Sequence, residues 1–443
     1  MKQFRPGKVI QTVKGTPLTI VKYLTEGGQG YIYDIEHEGK HRILKWYKPE
    51  KVNKPDKFYQ NLNDNARRGS PSDSFLWPIT ATERTDGSFG YVMELRQDGY
   101  HEFTEFLTDC KRIHFNTFKA NVEACIRIVS AFQILHHHGY CYQDMNDGNF
   151  FINPSSGDVL ICDNDNVAPN NKEAFIIGTP RYMAPELVVP AILGPDEEGN
   201  ERKTKPSTST DYWSLSVVLF MILCMGHPLE GERWLVPLLT PQNERYLYGS
   251  GATFVYDPSD GSNRPNPKVH ANVIAFWKPL PPYMKEAFHR AFSKDAIRNP
   301  GKRLREIDWL KVLVRFQAEI RRCHNCGGEV FMINAKDTPC DECGKLQRVE
   351  RKLRFRDYAV TAFKGVRVYR CMLESCNAEN ALTRVGTIVA NPSRPGLYFL
   401  NNTDMTLEGR TAKGTVKQIP PNSVVPIKPG ITVSAYSGSF TIE

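Results

Sequence analysis

Asp144 and Asn149, with four residues between them, lie in Tyr142-Gln143-Asp144-Met145-Asn146-Asp147-Gly148-Asn149, and Asp163 follows at the end of Val159-Leu160-Ile161-Cys162. Together they offer a carboxylate that can take up a hydroxyl proton, and an amide oxygen and a second carboxylate suited to a hard divalent cation. Phosphoryl transfer from ATP needs this set, because it is catalysed by positioning and charge and asks for little covalent chemistry. Asp-x4-Asn alone also describes a polar hairpin, so order along the chain has to decide. Upstream, Thr25-Glu26-Gly27-Gly28-Gln29-Gly30 reads as a glycine-rich hairpin whose backbone can approach phosphates unobstructed. Beyond it, Ile43-Leu44-Lys45-Trp46 sets a lysine in strand-like sequence, within reach of the α/β-phosphates.

The elements that must hold these residues can be read coarsely. Residues 10–95 have the pattern of short strands with one polar helix, and residues 116–139 show helical spacing (Val122, Ile126, Val129, Phe132, Leu135) ending at Gly139. Gly194 to Thr210 reads as a mobile polar insert. The apolar stretch Tyr212 to Gly226 is too short to span a bilayer and fits a buried helix. Residues 241–283, rich in Pro, Asn, Gly and aromatics, read as a long loop, and residues 284–320 return to helical periodicity.

In this order the motifs resemble a eukaryotic-type protein kinase domain over roughly residues 10–320. Met183-Ala184-Pro185-Glu186 is similar to the close of the activation segment, and Asp211-Tyr212-Trp213-Ser214-Leu215 to the start of the central buried helix. Tyr91-Val92-Met93-Glu94-Leu95 resembles the strand and hinge at the adenine pocket. The resemblance implies an arginine partner for Glu186, supplied by Asn299-Pro300-Gly301-Lys302-Arg303. It implies an α+β, two-lobed fold that binds ATP and Mg²⁺ and phosphorylates Ser/Thr on a protein substrate. In the implied roles Asp144 orients the hydroxyl and Lys45 anchors phosphates. Gly27, Gly28 and Gly30 cover the phosphates, Met93, Glu94 and Leu95 line the nucleotide, and Asn149 and Asp163 hold Mg²⁺.

Several positions depart from the family pattern. Thr25 stands at the first loop glycine, Tyr142-Gln143 replace His-Arg, Asn146 replaces a lysine, and Asn164-Asp165 replace Phe-Gly. Asp165 reads equally as a further metal ligand or as a solvent-facing carboxylate. The helix expected over Lys54 to Arg68 has no Glu to pair with Lys45, which leaves Asn61, Asp64 or a different helix orientation. Gln143 removes the usual counter-charge for an activation-loop phosphate, so control is expected from partner docking. If the protein phosphorylates itself, Thr204, Ser207, Thr208, Ser209 and Thr210 are the expected acceptors. The alternatives are a nucleotide-binding pseudokinase scaffold and a kinase-fold AMP transferase.

Cys323-His324-Asn325-Cys326 and Cys340-Asp341-Glu342-Cys343 form two Cys-x2-Cys knuckles thirteen residues apart, a spacing suited to structural Zn²⁺. Cys371 and Cys376 read as buried or adventitious thiols. The expected domains are 10–95 and 96–320 for the two lobes, 321–378 for a zinc ribbon and 379–443 for a small all-β domain. Residues 345–370 carry nine Lys/Arg against two acids, a pattern better matched by a solvated sheet face than by a nucleic-acid surface. With a net charge of +8, scattered cysteines and an N-terminus lacking a signal-peptide core, the expected setting is cytoplasmic, away from membranes.

The whole layout resembles a group of bacterial zinc-ribbon kinases associated with tellurium-resistance-type phosphorylation triads. Asp147-Gly148-Asn149-Phe150-Phe151-Ile152, Asp163-Asn164-Asp165-Asn166-Val167 and His227-Pro228-Leu229-Glu230-Gly231 carry that resemblance. It implies two partners, a von Willebrand A-type protein and a metal-dependent phosphatase. The terminal β module more distantly resembles a forkhead-associated-like domain.

Overall fold

The computed structural model describes residues 3–172, 178–195, 198–200, 202, 204–391 and 394–443. Its first sheet has six antiparallel strands in the order β1-β2-β3-β4-β6-β5: β1 Val9–Gln11, β2 Pro17–Glu26, β3 Gly30–His37, β4 Lys40–Tyr47, β5 Thr80–Ala81 and β6 Gly90–Glu94. The two-residue period of β4 sends Ile43 and Tyr47 into one apolar cluster, with Phe58, Leu62, Tyr91 and Met93. Leu44 and Trp46 enter another on the opposite face, with Ile20, Tyr33, Ile35 and Val92. Lys45 therefore shares a face with Ile43 and Tyr47. Helix α1, Pro55–Arg68, covers that face; it starts on a proline, ends at Gly69 with φ 79°, and buries Phe58, Leu62 and Asn65.

The larger lobe follows with β7 His101–Glu102, α2 Phe103–Thr108, α3 Phe118–His137, β8 Tyr140–Cys141, β9 Phe150–Ile152, β10 Val159–Ile161 and β11 Ala168–Pro169. The β9–β10 and β8–β11 pairs are antiparallel, and together they set the loop around Asp144 against the loop around Asp163. After α4, Pro185–Val188, the apolar helix α5 spans Thr208–Cys224 and is buried almost all round. Thr210 Oγ1 accepts the Ser207 N–H at 2.9 Å, so Ser207 to Thr210 form the capped first turn of α5. These four residues are therefore not part of the mobile insert that the reading of Gly194 to Thr210 expected. Asp196, Glu197, Glu201 and Lys203 of that stretch lie outside the described residues.

The stretch expected as a long loop contains α6, Pro241–Arg245, and α7, Ala271–Trp277, and Tyr256 stacks on Trp277 with ring centroids 4.3 Å apart. Helices α8 Pro282–Ala291, α9 Lys294–Arg298 and α10 Glu306–Glu319 follow.

Contacts divide the chain into two units. One holds the residues up to His114, Ile134–Lys278 and Phe288–Leu304; the other holds Phe115–Gln133, Pro279–Ala287 and Arg305–Glu443. The division does not fall at residue 320, and packing inside the second unit explains it. Glu329 accepts the Phe118 and Lys119 N–H groups at the start of α3, and the Phe118 ring meets Phe316 and Phe331. The Arg315 guanidinium lies 3.8 Å from the Tyr283 ring centroid and 4.2 Å from that of Tyr358.

Within this unit the cysteine module uses two hairpins: β12 Ile320–Arg322 with β13 Glu329–Phe331, and β14 Thr338–Pro339 with β15 Leu346–Gln347. Two sheets follow. One has the order β17-β16-β25-β24-β21-β22, the other β18-β19-β20-β23. Their strands are β16 Lys352–Arg354, β17 Ala359–Thr361, β18 Arg367–Tyr369, β19 Arg384–Asn391, β20 Arg394–Asn401, β21 Leu407–Arg410, β22 Val416–Ile419, β23 Val424–Pro426, β24 Thr432–Ala435 and β25 Gly438–Ile442. Since β16 pairs with β25 near the chain end, residues 352–369, expected with the zinc module, belong to the all-β region.

Candidate active site

At the tip of the β2–β3 hairpin the Gly27 N–H bonds to Gly30 O at 2.9 Å, and the Lys48 side chain grips Glu26 and the Gly27 carbonyl. Gly28 faces open space. Gly30 is a glycine for a packing reason: a Cβ there would lie 2.3 Å from Trp46 O on β4. The register sets Ile32 opposite Lys45, and Lys45 opposite Tyr91, so the lysine emerges directly beneath the hairpin. Met93 is buried opposite Ile43; Glu94 reaches Arg42 at 3.4 Å, and Leu95 is exposed.

The Lys45 ammonium forms ion pairs with Asp163 Oδ1 at 3.1 Å and Asp165 Oδ2 at 3.0 Å. Burial alone would lower its pKa, but the two carboxylates outweigh burial and hold it above the ordinary lysine value. Asp165 also accepts the Tyr47 hydroxyl and is 1% exposed, whereas the Asp163 side chain is 36% exposed. Of the two readings left open for Asp165, a solvent-facing carboxylate is therefore excluded. On α1 the acids point elsewhere, Asp56 to Arg84 and Asp64 to Arg67. Instead, Asn61 and Asn65 donate to Val167 O at 2.9 and 2.8 Å, tying the helix to the backbone beyond Asp165. Spacing gave no sign of Tyr47 or Asn65.

Asp211, at the start of α5, anchors the loop that carries Asp144. Its carboxylate accepts from Tyr142 N at 2.6 Å, Gln143 N at 3.3 Å and His136 Nε2 at 3.0 Å. Asn149 donates its amide N–H to Asp144 O at 2.8 Å, which leaves its oxygen for a cation, and Asn149 O accepts from Cys162 N at 2.9 Å. Burial, then the charges of Asp163 and Asp165, push the Asp144 carboxyl up to about 6, while Lys45 and the Thr179 N–H oppose the rise. Gly178 allows that approach, since a Cβ there would lie 3.2 Å from Gln143 O. Gln143 itself adopts φ 73°, and its buried Oε1 has no hydrogen-bond partner among the described residues. Asn164, in place of an aromatic, donates to Leu76 O and Ile161 O, both at 2.9 Å. Glu186 and Arg303 form the implied pair, buried and bidentate at 2.8 and 2.6 Å.

These donors suit Mg²⁺, a hard cation that takes carboxylate and carbonyl oxygens and retains waters: Asp163 is accessible and the Asn149 oxygen is not used by the Asp144 bond. In the second unit the sulfurs of Cys323, Cys326, Cys340 and Cys343 all lie within 4.8 Å of one another. Cys323–Cys343 and Cys326–Cys340 are 3.7 and 3.6 Å apart, close to the roughly 3.8 Å edge of a tetrahedron with Zn–S bonds of about 2.3 Å. Gly327 and Gly344, at φ 80° and 71°, turn the two knuckles, and Gln347 donates to Cys323 Sγ at 3.2 Å. Cys371 is buried outside this cluster, its thiol pushed up to about 12 by burial.

Residues 19–236 match the family model of the protein kinase domain. The chain is 26% identical over 221 residues to protein kinase C delta type of Rattus norvegicus, covering 48% of this chain and 30% of that protein. It is 23% identical over 349 residues to protein kinase YegI of Escherichia coli, covering 74% of this chain and 49% of that protein. The chain thus spans less than half the length of these curated relatives. Among solved structures, the PknI kinase domain of Mycobacterium tuberculosis aligns at 16% identity with a TM-score of 0.44, covering 70% of this chain and 98% of that one. Among the described residues, no helix is long and apolar enough to cross a membrane.

Proposed function

We propose that this protein is an ATP- and Mg²⁺-dependent protein kinase that transfers the γ-phosphate to a Ser or Thr hydroxyl. The observation that carries the reading is Lys45 paired to Asp163 with, close enough for its charge to be felt, a half-buried Asp144 held by its own loop. In this reading Gly27 and Gly28 bring backbone to the phosphates, and Lys45 turns from Asp163 to the α/β-phosphates. Asp163 and Asn149 hold the metal, which neutralises charge on the phosphates. Asp144 orients the acceptor hydroxyl and takes its proton.

The four cysteines hold a structural zinc. Four protein thiolates leave no open coordination position for chemistry at that metal. Partners of the von Willebrand A and metal-dependent phosphatase types, docking on the C-terminal modules, belong to the same proposal. Incubation with a candidate protein substrate and ATP labelled at the γ or the α position tests it. Label from the γ position in phosphoserine or phosphothreonine is expected. Transfer from the α position alone would indicate AMP transfer, and binding without transfer a scaffold.

A further inference from the structure

We infer that Asp165 is the built-in counter-ion and positioning residue of Lys45, taking the part of the carboxylate that helix α1 lacks, and is not a ligand of the catalytic metal. The inference rests on the kinase reading and concerns how its phosphate-binding lysine is held.

Three observations converge on it. Asp165 Oδ2 already takes two donors, the Lys45 ammonium at 3.0 Å and the Tyr47 hydroxyl, at a side chain 1% exposed. A divalent ion of the Mg²⁺ type keeps several waters and needs room for them. Asp163 has that room at 36% exposure; Asp165 does not. Second, the two carboxylates around one ammonium leave one negative charge in excess. When Asp163 turns to a cation, Asp165 remains, so Lys45 is never left buried and unpaired. Third, α1 grips the loop that carries Asp165 with amides: Asn61 and Asn65 bond to Val167 O, and Asn61 also lies 3.5 Å from Asp165 O. The helix sets the backbone and the loop supplies the charge. Lys45 is therefore oriented by a residue two positions from the metal-binding Asp163.

The test is equilibrium binding of a fluorescent ADP analogue to the whole 443-residue chain, first in EDTA and then with Mg²⁺ titrated in. Asp165→Asn and Lys45→Met should each weaken metal-free binding by about tenfold, and the double variant should bind no more weakly than Lys45→Met alone. In the Lys45→Met background, Asp165→Asn should leave the Mg²⁺ midpoint unchanged while Asp163→Asn raises it. An Asp165→Asn effect that adds fully to that of Lys45→Met, or that appears only as a raised Mg²⁺ midpoint, would overturn the assignment. Should Asp165→Asn fail to fold by circular dichroism, Tyr47→Phe serves instead: it should weaken metal-free binding about threefold, only where Lys45 is present, and no effect would count against the inference. Absence of nucleotide binding by the unaltered protein would instead overturn the kinase reading, and this inference with it.

Discussion

Asp144 is a carboxyl whose surroundings resist its charge. Burial and the neighbouring Asp163 and Asp165 hold it up at about 6, so it keeps its proton in mildly acid solution and gives it up on approach to neutrality. The sign follows from the folded value lying above the unfolded 3.8. The protonated form favours the folded state below the unfolded value, and that contribution is lost as pH rises through about 6. In the proposed role, the base is thus ionised near neutral pH. Transfer activity should rise from pH 5 to pH 7. Asp144→Ala should lower turnover by about 10²-fold or more at pH 7.5 while leaving nucleotide binding nearly unchanged. A purified Asp144→Ala protein with undiminished transfer would remove the proposed role.

One scale up, the segment ending at Glu186 is fastened to the rest of its lobe by polar links between separate elements. Arg181 pairs with Glu230 at 2.6 Å, the Tyr248 hydroxyl reaches the same carboxylate at 2.7 Å, and buried His227 donates from Nε2 to Arg181 O at 2.8 Å. His227 Nδ1 accepts the Leu229 N–H at 3.1 Å, a bond available only to the neutral ring. Burial accordingly pulls its pKa down to about 4, despite the favourable charge of Glu230. A depressed folded value means the unfolded chain takes up the proton first, so stability is complete above about 6.5 and is lost as pH falls toward 4. The full effect is on the order of 3 kcal/mol. The urea midpoint of the protein should fall between pH 7 and pH 5, and the fall should shrink in His227→Asn. An identical pH dependence in that variant would show that other groups govern it. Packing around the same segment also corrects one expectation about modification. Thr210 is buried in the capped first turn of α5 and Thr204 Oγ1 bonds to Glu186 O, so neither is the free hydroxyl of a mobile loop.

For the whole molecule, the second unit makes the four-cysteine module structural in a wider sense than a terminal appendage. Its strand β13 supplies the Glu329 cap for α3, and Asn334 Oδ1, in the turn after β13, accepts the Ala359 N–H of β17 at 2.9 Å. Small metal modules draw their folding energy from the ion. The purified protein should contain about one zinc per chain. Cys326→Ser should release it and give a lower, separate melting transition for the second unit, with nucleotide binding largely retained. Metal analysis finding no zinc in protein prepared without chelator would sink the assignment.

What the sequence determined by itself was the chemistry available at short range. Asp144 and Asn149, or Cys323 and Cys326, sit on loops of a few residues, where spacing alone fixes which side chains can serve one site. Order along the chain then made the kinase layout legible, and the match of residues 19–236 to the kinase model agrees with it. Choice of partner across long separations was decided by the tertiary structure. Tyr47 meets Asp165 across 118 positions, and Asn61 meets Val167 across 106. No local pattern encodes such pairs, because they depend on which face of β4 and of α1 closes over the loop. The same cause hid the true start of the all-β region, where β16 finds its neighbour β25 only at the chain's end.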